Sequence, residues 1–201
     1  MVVFLLYRFH RSHHADPLTV GNRLRLIFEP LFQQLPPADV VCQGSLTLIS
    51  FSKRVRRWNA PLVEEDEQSS VVAPNYPIDA EDCLRSRGLL APGEGVLPAL
   101  ARALQRDPQP LLRELAPPFS LIWQDKRAGE IWLQNDALGQ APLFEYQDES
   151  VWAITNRPLA LRAVGARLEP VPAEWAVRIT LGWFPMDLTG FRRVGYVRPG
   201  S

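Results

Sequence analysis

The sequence predicts an α+β fold built on antiparallel sheets, and three observations carry that reading. Residues 120–125, 129–136, 138–146 and 151–155 are four short runs rich in β-branched and aromatic side chains, each closed by a charged or Gly/Pro turn, which describes a compact antiparallel meander. Residues 1–9 are too apolar for a one-sided surface strand and belong inside a sheet covered on both faces. Apolar residues recur at helical spacing twice, through Leu24, Ile27, Phe28, Leu31, Phe32 and Leu35 and again through Val96, Leu97, Leu100, Ala101 and Leu104. These helices supply the apolar stripes that a layered sheet domain needs on its faces.

In chain order, the first strand runs into a polar turn carrying His10, His13, His14 and Asp16. Those residue types can ligate a metal, but histidines in a turn beside prolines read as solvated, and no metal site is assigned. The first helix follows and ends at Pro36-Pro37. Residues 40–51 and 55–63 read as strands with a bend at 59–61, so that the basic block 53–58 faces the acidic block 64–67 and partly neutralises it. A short strand at 71–73 leads to a two-turn helix with Asp79 as N-cap and Gly88 as its closing residue. Beyond the helix through Leu100, Asp107-Pro108 with Leu111, Leu112 and Leu115 starts a fourth one.

Within the meander, residues 125–129 turn the first strand into the second, with Gly129 free to take positive φ, and Pro142 enters the third strand from an edge-compatible position. Trp123, Trp132 and Trp152 fall on its strands, where core packing is expected of them. A further helix covers 171–179, and residues 188–200 close the chain.

At 201 residues, 46% hydrophobic and 22% charged, the chain can bury one substantial core. Its 22 Lys plus Arg equal its 22 Asp plus Glu, so it lacks the basic field of a nucleic-acid binder. Two cysteines, Cys42 and Cys83, make no disulfide framework, and the first apolar run is broken too soon for a membrane span or a signal core, so a reducing cytoplasm is expected. No Gly-rich phosphate loop is present.

Four motifs resemble those of the N-terminal-nucleophile glutamine amidotransferase domain at the front of asparagine synthetases. Pro118-Phe119-Ser120 through Asp125 is similar to the family's Gly-Phe-Ala-x-x-x-x-Asp strand. Asn135-Asp136 through Gly139 to Pro142-Leu143-Phe144 is similar to its Arg-Asp-x-x-Gly-x-x-Pro-Leu-Tyr-Tyr turn, with Asn135 in place of the arginine. Thr155-Asn156 stands at the Ser-Glu strand end, after which 157–162 resembles the short helix of the family. Thr189, Phe191, Val194 and Pro199-Gly200 match its Thr-x-Phe-x-Gly-Ile-x-x-Leu-Pro-Pro-Gly segment. The resemblance runs from about residue 71 to the C-terminus and more loosely from residue 1. It implies a four-layer α/β/β/α sandwich of two mostly antiparallel sheets, with residues 1–201 forming a single domain that ends near the junction to a synthetase domain. Asp125, Asp136, Gly139, Pro142 and Leu143 are the structural motif carried over.

The same resemblance sets out a glutaminase that this chain departs from. The family's nucleophile is a cysteine at the mature N-terminus whose own α-amino group is the base. Val2 stands in its place, so no catalytic residue is assigned. Cys42-Gln43-Gly44 imitates the Cys-Gly start, but its use would require removal of residues 1–41. The glutamine clamp is equally thin. The Asn-Gly oxyanion pair falls on Asn75 and Tyr76, the substrate-binding Arg near Ser45, and the Asp that holds the α-amino group near Gly93. A zwitterionic substrate would lose several charge-assisted bonds at once.

The resemblance therefore implies a degenerate, non-catalytic glutaminase-like domain of an ATP-dependent amide ligase, as in lasso-peptide macrolactam synthetases and β-lactam synthetases, acting in stability, docking or substrate recognition. The expected partners are an asparagine synthetase-like C-terminal domain, fused or separate, and a precursor peptide; neither nucleic acid nor membrane is expected. No cofactor is expected in this chain, and ATP and magnesium belong to the synthetase domain, whose Ser-Gly-Gly-x-Asp-Ser loop lies beyond it. An active class II amidotransferase and a free-standing interaction module are the alternatives.

Overall fold

The computed structural model describes residues 2–10, 15–32, 35–43, 45–52, 62–65, 69–185 and 187–200. The fold is α+β with two antiparallel sheets, and the chain divides into two compact units, residues 1–53 with 143–198 and residues 54–142 with 199–201.

The first unit holds a six-stranded sheet. Its strands are β1 (Val2–Phe9), β2 (Asp39–Gln43), β3 (Leu46–Ser52), and, from the far side of the chain, β8 (Phe144–Gln147), β9 (Val151–Thr155) and β10 (Val194–Tyr196). Their order is β10-β8-β9-β1-β3-β2, so β1 lies inside the sheet, between β9 and β3. Val3, Leu5 and Tyr7 on one of its faces and Phe4 and Leu6 on the other are all buried, as the unbroken apolar run requires. Helix α1 (Pro17–Phe28) covers the face of Leu5 with Val20, Leu24 and Phe28, and a 3-10 segment at Pro158–Val164 adds Ala160, Leu161 and Val164 to the same core.

Helix α1 stops at Phe28, short of the Pro36-Pro37 boundary read from periodicity, and Glu29–Leu31 form one 3-10 turn. Pro30 explains the difference, because it has no N–H to donate to the carbonyl four residues back. The single run expected over 40–51 is two strands, β2 and β3, paired with Cys42 opposite Thr47. The helix predicted at 171–179 is α5 (Pro172–Leu181), none of whose residues is buried. It is fastened at its start instead. The Glu174 carboxylate accepts from the N–H groups of Thr189 and Gly190, and Trp175 Nε1 donates to the Gly190 carbonyl at 2.8 Å.

The second unit holds a four-stranded sheet in the order β4-β5-β6-β7, from β4 (Leu62–Glu65), β5 (Ser69–Asn75), β6 (Ser120–Asp125) and β7 (Glu130–Asn135). Val71, Ala73, Leu121 and Trp123 share a core with helices α2 (Ala80–Ser86), α3 (Val96–Arg106) and α4 (Pro108–Leu112), through Leu84, Leu100, Leu104 and Leu111. Asp79 precedes α2 without capping it: its carboxylate takes the Ala116 N–H at 3.0 Å, tying the helix start to the loop after α4. Gly88 closes the helix at φ 66° as expected.

The meander expected from residues 120–155 is not one sheet. Strands β6 and β7 pair with each other, as do β8 and β9, but the two hairpins belong to different sheets. Asp136 is the cause. Fully buried, its carboxylate accepts the N–H groups of Leu138, Gln140 and Ala141, which winds residues 136–141 into a tight loop in place of a hairpin turn. Trp123 and Trp132 stack across β6 and β7 at 5.7 Å, whereas Trp152 lies in the other sheet with Nε1 donating to Glu145. The basic run 53–58 and residues 66–67 of the acidic run lie outside the described residues. Glu64 and Glu65 sit in β4 opposite Val71 and Ser70.

Candidate functional site

Strand β5 carries the expected pocket asparagine, and its irregularity explains where the side chain goes. Between Val72 and Asn75 the register against β6 shifts by one residue, and Pro74, which cannot donate to the ladder, lies in that bulge. Asn75 is thereby set opposite Ser120, and its Nδ2 donates to Ser120 Oγ at 3.1 Å. Ser120 is fully buried and stands where the family pattern has alanine, so one of the two amide hydrogens that an oxyanion would need is engaged inside the protein. Residue identity alone did not mark Ser120; the proline inside a strand was the available signal.

Tyr76 follows directly. Its ring packs on the core beneath α2 and α3, and burial, with a smaller contribution from Glu81, pushes its hydroxyl up to about 12. It is a neutral packing group at physiological pH, not an open glycine-lined wall. Gly93 sits in the exposed turn before α3 at φ 78°, with open space around a hypothetical Cβ. The carboxylate nearest in sequence, Glu94, is already held: it pairs with Arg102 and accepts the Ala91 N–H at 3.0 Å, and this pairing with Arg102 first, then the Ala91 N–H, lowers it to about 2. No carboxylate at this loop is free to receive a substrate ammonium.

In the other unit, Ser45 lies exposed in the turn between β2 and β3, and Val2 opens β1 opposite Ser52. Ser45 is the residue near which the resemblance implies the substrate-binding arginine. Two residues beside β1 carry a role that motif matching did not reveal. Thr155 Oγ1 donates to the Phe4 carbonyl at 2.6 Å, and Asn156 Oδ1 accepts the Phe4 N–H at 3.2 Å, so the Thr155-Asn156 pair grips both main-chain groups of one residue in the central strand.

Both thiols are remote from the chemistry of an N-terminal nucleophile. Cys42 is exposed in β2, next to its last residue, and its nitrogen is part of the chain. Reaching it as a terminus would remove β1 and α1, the central strand of the sheet and the helix that covers it. Cys83 lies in α2 with its N–H donated to the Asp79 carbonyl, and burial, then the Glu114 carboxylate, pushes its thiol up. A raised thiol is the reverse of what nucleophilic attack needs. His10 is exposed, with its N–H bonded to Ser150, while His13 and His14 lie outside the described residues. Among the described residues, no group of three His, Cys, Asp or Glu is placed to hold a metal ion, and no helix is long and apolar enough to cross a membrane.

The motif residues are structural. Asp125 Oδ1 accepts the N–H groups of Arg127 and Ala128 ahead of Gly129 at φ 70°, and Asp136 organises its loop with Gly139 at φ 64°. Pro142 leads to the fully buried Leu143, whose carbonyl accepts the Val197 N–H at 2.9 Å.

No family model matches the sequence, and no curated protein matches it. Solved structures do. Glutamine phosphoribosylpyrophosphate amidotransferase from B. subtilis, in complex with ADP and GMP, is similar over 85% of this chain and 45% of its own, with TM-score 0.53 and 14% identity. A structure of the allosteric regulatory enzyme of purine biosynthesis is similar over 83% of this chain and 44% of its own, with TM-score 0.52 and 14% identity. The chain spans less than half the length of each. These likenesses establish its fold as glutamine amidotransferase-like, of the N-terminal-nucleophile type.

Proposed function

We propose that this chain is a glutaminase-like domain without glutaminase activity, serving an ATP-dependent, asparagine synthetase-like amide ligase. The observation that carries the reading is the position of its two thiols. Cys42 is embedded in β2 after the central strand, and Cys83 is fixed in α2 with its thiol pushed up, so neither has a free α-amino group at its own backbone to act as base. Three of the four expected pocket positions support it: Asn75 bonded to Ser120, Tyr76 packed into the core, and a carboxylate next to Gly93 committed to Arg102.

A ligase whose amine comes from its own substrate needs no ammonia from glutamine, and peptide macrolactam formation of the lasso type is such a reaction. In it, a carboxylate attacks the α-phosphorus of ATP to give an acyl-adenylate and release pyrophosphate, and an amine of the same molecule then displaces AMP; ATP and magnesium would be bound by the synthetase domain, in a cytoplasmic setting. This chain would contribute stability, docking or recognition of the peptide. Glutamate release from glutamine by the purified chain tests the reading. The expected rate equals that of the Cys42→Ala variant, whereas release that disappears on that substitution establishes an active glutaminase.

A further inference from the structure

We infer that the groove between α1 and the 3-10 segment Pro158–Val164 is a docking site for an acidic amphipathic segment of a partner polypeptide. The groove, about 560 Å³, is lined by Arg23, Leu26, Ile27, Pro30 and Leu31 on one side and Leu159 and Arg162 on the other. Arg23, Leu26 and Ile27 fall at i, i+3 and i+4 on α1, beside the Val20, Leu24 and Phe28 stripe that fills the core, and Pro30 and Leu31 continue from the 3-10 turn that follows; Ile27 packs half-buried against that core, whereas Leu26 and Leu31 are exposed. The apolar surface of this segment therefore extends past the core-facing stripe through the exposed Leu26 and Leu31.

Exposure and charge together select the occupant. Leu26 is 69% exposed, Leu31 58% and Leu159 38%, so the floor is too open to enclose a small molecule, which a pocket of this size would otherwise surround. It suits an extended apolar surface laid along it, the helix-in-groove mode of recognition. Arg23 and Arg162, both exposed, supply cations at the groove, no carboxylate lines it, and among the described residues neither arginine has an ion-pair partner. Two cations are fewer than the clusters of roughly four to eight that hold a protein on an anionic membrane. An apolar ridge flanked by Glu or Asp matches both the floor and the guanidinium groups. The inference is independent of the glutaminase-like reading, because α1 carries none of the pocket residues.

The probe is a fluorescein-labelled helical peptide with a leucine stripe flanked by glutamates, titrated with the full chain by fluorescence anisotropy. Saturable binding is expected, weakened at least about ten-fold in Arg23→Glu/Arg162→Glu and weakened as salt rises. Leu26→Ser/Leu31→Ser should weaken it by a similar factor with an unchanged unfolding curve, since both side chains are exposed. Failure of the peptide to bind overturns the inference. So do equal binding of a version with lysine in place of glutamate, equal binding by the charge-reversed chain, or a preference for phosphatidylserine vesicles over the peptide. Displacement of the peptide by self-association of the chain would assign the groove to a second copy and overturn it too.

Discussion

Asp136 organises the loop that follows β7 through its own side chain. It is buried, yet its two oxygens accept three main-chain N–H groups within five residues, so a charge that would be costly alone is matched by local donors. Asp136→Ala would leave those donors with no acceptor, and we expect a loss of about 3 kcal/mol in unfolding free energy, read from urea denaturation. An unchanged midpoint and slope would contradict this role. Glu94 makes a second prediction at the same scale. Its pairing with Arg102 and the Ala91 N–H holds it at about 2, below its ordinary 4.5, so whatever it contributes is present above 4.5 and disappears as pH falls toward about 2. In NMR titration the Glu94 carboxyl should stay ionised well below pH 4, and in Arg102→Ala it should move back toward 4.5. A titration near 4.5 in the unmodified chain would mean that the carboxylate is free for a ligand.

At the scale of elements, α5 and the 189–191 segment form one locked piece. Gly190 has φ 79°, and a Cβ there would lie 2.6 Å from the Phe184 ring and 2.9 Å from that of Trp175. Gly190→Ala combines backbone strain with a ring clash and should cost about 1–3 kcal/mol, with altered tryptophan fluorescence as Trp175 is displaced. Wild-type stability and emission would show that the lock is unnecessary. This piece was only partly legible beforehand: periodicity placed the helix, but its fastening depends on Glu174 and Trp175 reaching residues 15 or more positions away. Elements with one unambiguous driving force were read correctly, as with β1, apolar from Val2 to Tyr7, and α3, with its strong one-sided stripe. The meander was misassigned because strand propensity says which residues extend and not which strands pair. What separates the two hairpins is a buried carboxylate wound into its own loop. Asp79 stands at the N-cap as expected, but its side chain serves the distant Ala116 N–H in place of the helix start.

For the whole molecule, fold and chemistry are separate questions. The chain adopts a glutamine amidotransferase-like fold at 14% identity to solved examples, which leaves the site to be argued residue by residue. Counting along the family pattern put the expected pocket positions at Asn75 and Tyr76 and near Ser45 and Gly93, but the engagement of Asn75 by Ser120 and of Glu94 by Arg102 is not legible in sequence, because both depend on pairings across strands and turns. The most direct test of the central claim is intact-mass analysis after incubation with a glutamine-derived diazoketone, which alkylates an activated amidotransferase cysteine. An unchanged mass at concentrations that fully label an active glutaminase is the predicted result. A stoichiometric single adduct that maps to Cys42 or Cys83 would contradict the account.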